Sequence, residues 1–138
     1  MRKGWNRTDY VINGEVDKSA HPIMGLLGAK SRKPDLLIHG PGDMAANYAI
    51  IEVKPSIANS RGIGKDLETL SFFRGRGRYQ RAILLLYGFE ACKVANQTID
   101  ACKAQRDLNQ IEIWVHEKPN ASAKHVATMK GGNITYSV

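Results

Sequence analysis

The run AILLLYGF, residues 82–89, restricts the fold of this chain more than any other feature. Successive strand residues point to opposite faces, and this run is apolar at both parities. It therefore predicts a strand buried on both faces, the setting of parallel strands joined by helices. The flanking segments have the matching period. Ile63, Leu67, Leu70 and Phe73 recur at helical spacing and predict a helix over 64–74. EACKVANQTIDACKAQRDL predicts a second helix over 90–108, with Ala91, Val94, Ala95, Thr98, Ile99 and Cys102 on one face. IEIWVHEK alternates Ile111, Ile113 and Val115 with Glu112, Trp114 and His116, a strand with one wetter face.

Two more strands are expected earlier, over 35–39 and 48–54, with GPGDMAAN between them read as a long hairpin loop. DYVIN reads as a short strand and HPIMGLLGAK as a glycine-rich loop. KHVATMK and NITYSV around Gly131-Gly132 read as a closing hairpin over about 124–138. The order of elements is that of an α/β protein, a mixed sheet flanked by helices. The 138 residues suit one domain with its core over about 30–118.

Bulk composition narrows the function classes. The formal charge of +7 favours an anionic partner. No apolar run reaches the roughly 18–20 residues a membrane helix needs, so no membrane partner is expected. The start MRKGWNRTDY has no apolar export core, so the expected location is cytoplasmic. Cys92 and Cys102 are read as small buried hydrophobes in a reducing compartment. SRGIGKD is not a phosphate loop: that pattern requires Gly where Asn59 stands and Ser or Thr where Asp66 stands.

The chemistry concentrates in PDLLIHGPGDMAANYAIIEVKP, residues 34–55. Asp35, Leu37 and His39 share one face of the first strand; Ile50, Glu52 and Lys54 share one face of the second. If the two strands pair as a hairpin, a register that buries Leu36 and Ile38 beside Ile51 and Val53 gathers Asp35, Glu52 and Lys54 on the other face. Two adjacent carboxylates resist ionising, and a divalent cation removes the conflict. Hard oxygen ligands suit Mg²⁺ or Mn²⁺, and an ammonium beside them holds a water or a phosphate oxygen. The plain alternative is a turn-capping Asp35 and a weak, solvated Glu52–Lys54 strand end.

Pro34-Asp35, followed by Glu52-Val53-Lys54 at the end of the next apolar strand, resembles the PD-(D/E)xK nuclease superfamily, which includes restriction endonucleases and Holliday-junction resolvases. KDLETL and YQRAILLLYG then follow in the order of its nuclease-like segments, so the resemblance spans about residues 30–90. It implies a restriction-endonuclease-like mixed sheet, Mg²⁺ or Mn²⁺, and hydrolysis of nucleic acid phosphodiesters, most simply in DNA. On this sequence it implies metal binding by Asp35, Glu52 and the backbone carbonyl of Val53, and a water-positioning role for Lys54. Many members carry a further acid on an N-terminal helix. Residues 1–33 have no convincing amphipathic helix, and Glu15 is the stand-in, with Asp17 and Asp9 behind it.

Arg74, Arg76, Arg78 and Arg81 in RGRGRYQR are expected to grip the nucleic acid backbone, because glycines admit close approach and arginines clamp phosphate with paired hydrogen bonds. Lys30, Arg32 and Lys33, just before Asp35, are expected to flank the same groove. His39 as a base and Trp5 or Trp114 as stacking groups are weaker expectations than plain packing roles. A domain this small that cuts both strands is expected to act as a homodimer. The alternative function is a catalytically inactive nuclease-fold module that binds nucleic acid, or a subunit of a larger complex.

Overall fold

The computed structural model describes residues 11–14, 34–40 and 43–137, with 11–14 and 43–46 given by their backbone alone. In chain order the elements are β1 (Val11–Gly14), β2 (Leu36–Gly40), β3 (Asp43–Pro55), α1 (Ser60–Gly75), β4 (Arg81–Tyr87), α2 (Ala91–Cys102), β5 (Ile111–His116), β6 (Lys124–Lys130) and β7 (Asn133–Tyr136). The strands lie side by side in sequence order in one seven-stranded sheet. The β3–β4 and β4–β5 pairs are parallel and each is joined by a helix; the remaining pairs are antiparallel. The mixed α/β class expected from the sequence is present.

Both helices cover one face of the sheet. Ile63, Leu67, Leu70 and Phe73 of α1 and Ala95, Ile99 and Cys102 of α2 share a core with Leu37, Ile50, Leu84, Leu86, Ile113 and Ala127. Those strand residues are of one facing set, since the register places Leu37 beside Ile50, and Leu84 beside Ile113, which is beside Ala127. On the opposite face Ile51, Val53, Ile83 and Leu85 are half-buried among the described residues. Among the described residues, the expectation that both faces of β4 are covered is met on the helix side, and the other face is half-buried.

Three boundaries differ from the sequence reading. Most of the expected 40–47 loop is strand: Gly40 pairs with Asp43, and β3 absorbs the extra length through register shifts around His39. Helix α1 begins at Ser60 rather than residue 64, because the Asn59 side chain accepts a hydrogen bond from the Gly62 N–H at 2.9 Å and caps the first turn. Asn59→Ala is expected to cost about 1 kcal/mol of stability in a urea melt. Helix α2 stops at Cys102, well before residue 108, and Cys92 is exposed rather than buried. The closing hairpin is as expected, with Gly131 and Gly132 supplying the positive φ values (56° and 90°) that a two-residue turn between twisted strands requires. Among the described residues, no helix is long and apolar enough to cross a membrane.

Candidate active site

Strand β2 pairs with β3 so that Leu36 lies beside Ile51 and Leu37 beside Ile50. The same register, carried one residue further, sets Asp35 opposite Glu52, and alternation puts Lys54 on the same face. The expected grouping of Asp35, Glu52 and Lys54 is met. The face is the reverse of the one anticipated: it belongs to Leu37 and Ile50 and lies under the helices, while Leu36, Ile51 and Val53 take the half-exposed side. The cluster is consequently drier than a strand end in water. Glu52 is 5% exposed.

Asp35 is fixed by the backbone. Its Oδ2 accepts a hydrogen bond from the Val53 N–H at 2.7 Å. An extended residue turns its N–H and C=O to the same side, so the Val53 carbonyl is aimed past the start of β2, beside the Asp35 carboxyl. Burial pushes the Glu52 carboxyl up to about 9, and the negative charges of Asp35 and Asp66 and a hydrogen bond with the Asp35 carboxyl push the same way; Lys54 opposes them. Without a cation, Glu52 at neutral pH is a protonated acid leaning on Asp35.

Asp66 completes the cluster and was not singled out by the sequence reading. Its Oδ2 lies 3.1 Å from Lys54 Nζ. That oxygen is buried and makes no directed hydrogen bond, so the contact is an off-axis ion pair. Burial raises the Asp66 carboxyl above its ordinary range, and Lys54 acts to lower it. The signal was present: Asp66 shares the inner face of α1 with Ile63, Leu67 and Leu70, and a carboxylate in an apolar stripe needs a partner. Gly62 also stands close, since a Cβ there would come 3.8 Å from Lys54 Nζ. Asp66→Ala leaves the ammonium unanchored; we expect about a tenfold lower rate in any reaction Lys54 serves, with ligand affinity unchanged.

The donor set suits a hard cation. Among the described residues no group of three or more His, Cys, Asp or Glu side chains could by itself hold an ion. Mg²⁺ normally takes one or two carboxylates and keeps several waters, so Asp35 and Glu52 are the residues that could hold one, with the Val53 carbonyl beside them. The geometry in favour is the opposed pair itself: Asp35 is held by the Val53 N–H, and Glu52 is buried on the same face, where burial first and the neighbouring carboxylates second disfavour its charge.

The arginines are placed elsewhere. Strand β4 runs parallel to β3, and Arg81 is level with Ala49, three residues and roughly 10 Å along the strand from Glu52. Arg74 lies further back, in the last turn of α1, and Arg76 and Arg78 lie between the end of α1 and the start of β4. Arg81 belongs to the face opposite α1 and α2, where its Nε and a terminal nitrogen bond both Glu112 oxygens at 2.8 and 2.6 Å. Arg76 and Arg78 are exposed. Tyr79 is buried against Phe73 with ring centroids 6.1 Å apart, a core residue that does not face the carboxylates. Trp114 donates to Glu112 at 3.1 Å and packs edge-on to His125, a packing role. His39 lies beside Asn47, where the β2–β3 register shifts. Glu15, Asp9, Asp17, Lys30, Arg32, Lys33 and Trp5 lie outside the described residues.

No family model, curated protein or solved structure matches this chain.

Proposed function

We propose that the chain is a metal-dependent endonuclease that hydrolyses DNA phosphodiester bonds, with the restriction-endonuclease-like arrangement its Pro34-Asp35 and Glu52-Val53-Lys54 elements imply. The observation that carries this reading is the pairing of a backbone-anchored Asp35 with an abnormally basic Glu52 on the face that also presents Lys54.

Asp35 and Glu52 would hold Mg²⁺ or Mn²⁺, with the Val53 carbonyl beside them. Such an ion, when bound, makes coordinated water more acidic and shields the charge that develops on phosphorus. To hold such an ion Glu52 would have to be ionised, its proton passing to solvent. Lys54 would hydrogen-bond a water and point it at the phosphorus, while Asp66 holds the ammonium in place. Low exposure keeps these charges effective, since their fields are weakly screened away from bulk water. The +7 formal charge draws the polyanion to the protein, and Arg76 and Arg78 are free to contact backbone at a distance from the cut.

The test is cleavage of plasmid and of labelled DNA duplexes, junctions, flaps and single strands by the full chain, in Mg²⁺ and in EDTA. Cleavage that requires the metal supports the reading. Binding with no cleavage of any substrate in Mg²⁺ or Mn²⁺ would leave a nucleic-acid-binding module instead.

A further inference from the structure

We propose that Ile57 and Phe89 form an apolar step at the mouth of the carboxylate–lysine site that packs against unpaired bases, so that the site takes single-stranded or frayed nucleic acid. This rests on the phosphodiesterase reading and adds a substrate class to it.

The two residues are the most exposed large apolar groups described, at 92% and 85%. They follow neighbouring parallel strands, so they emerge at one edge of the sheet. Pro55 is level with Tyr87, which places both side chains a few residues beyond Lys54 on the same edge. A single buried serine ties the two loops together: Ser56 N–H donates to Tyr87 O at 2.8 Å, and Ser56 Oγ donates to Phe89 O at 2.6 Å.

The backbone around Phe89 is specialised. Gly88 has φ 108°, and a Cβ there would come 3.1 Å from Ser56 Oγ. Glu90 has φ 60°, a left-handed conformation uncommon outside glycine. Two left-handed residues therefore flank Phe89, and Gly88 N–H is held by His116 O at 3.0 Å. Such outliers persist where the surroundings fix them, and here they turn an aromatic ring out into water.

The surroundings select the occupant. Helices α1 and α2 both start at this edge and aim their N-terminal N–H groups toward it; Arg61 and Lys93 are exposed in the first turns and Lys65 in the second turn of α1. Glu90 and Glu117 are exposed acids nearby, and the Asp35, Glu52 and Asp66 carboxyls lie inward of the step, beside Lys54. Apolar side chains projecting singly among cations differ from the continuous patch of a protein-docking face. They match the combination that holds single strands, in which cations follow the phosphates and flat side chains receive the bases.

The test uses the full chain in EDTA, so that nothing is cut. Fluorescence anisotropy compares a labelled single-stranded DNA with the blunt duplex of the same length, for the wild type and for Ile57→Ser/Phe89→Ser. Both positions are exposed, so the variant keeps its fold, which circular dichroism verifies. The expected result is single-strand affinity lowered about tenfold or more and duplex affinity within twofold of wild type. Equal losses on both ligands, no loss on either, or a wild type that ignores single strands overturns the proposal. The outcome is separable from the fate of the nuclease reading. Selective loss of single-strand binding in a protein that never cleaves would sink the nuclease and keep this surface. Metal-dependent cleavage indifferent to the substitution would do the reverse.

Discussion

Lys54→Ala is expected to lower Mg²⁺-dependent cleavage on the order of 10³-fold while leaving DNA affinity within twofold of wild type. The side chain is half-buried and held 3.1 Å from Asp66, so it is positioned before substrate arrives and its loss removes a preset donor. Glu52→Gln should be equally inactive for a different reason: the amide fills the same space but lacks the charge that draws a cation. Single-turnover rates at saturating DNA, with affinity measured separately in EDTA, distinguish the two effects. A Lys54→Ala protein that cleaves at near wild-type rate would remove the lysine from the mechanism.

The second large effect is on stability, and its sign follows from Glu52. Its carboxyl stands at about 9 in the folded protein against an ordinary 4.5. Between those values the folded state holds a proton that the unfolded chain has released. The contribution is therefore fully present below about pH 4.5 and is lost as pH rises toward about 9. Rearrangement of the cluster as Glu52 ionises offsets about half of the full linkage, leaving a loss on the order of 2 kcal/mol between roughly pH 5.5 and 8.5. That corresponds to a fall in Tm of roughly 8 °C. Glu52→Gln cannot lose a proton, so its Tm should be nearly flat over the same interval and higher than wild type at the alkaline end. Mg²⁺ should restore the wild-type Tm at high pH by binding the folded state alone, and should do little for Glu52→Gln. Differential scanning fluorimetry across pH, with and without Mg²⁺, reads all of these.

Much of the site was legible in the chain because strand parity is strict. Once 35–39 and 48–54 are strands that pair, any register that sets Asp35 opposite Glu52 or Lys54 gathers all three on one side, and the Leu36–Ile51 pairing is of that parity. Which face the helices would cover was not legible. Ile50 on one parity and Ala49, Ile51 and Val53 on the other are all apolar, so hydrophobicity favoured neither side. The covering of one face over the other depends on the crossover path of α1 and α2, a property of the whole sheet. The place of the arginine loop was not legible either: a helix that returns from the end of β3 to the start of β4 delivers residues 74–81 to the opposite end of the strands from the carboxylates, a consequence of the crossover. Asp66 was legible in principle, as a carboxylate in an apolar helical stripe, whereas its ion pair with Lys54 needed the tertiary fold.

Titration of the full chain with Mn²⁺ by calorimetry bears most directly on whether Asp35 and Glu52 are ligands. The expected result is saturable binding at neutral pH, accompanied by release of about one proton as Glu52 ionises, and abolished in both Asp35→Asn and Glu52→Gln. Absent binding, or binding that survives both substitutions, would contradict the metal site and the enzyme built on it.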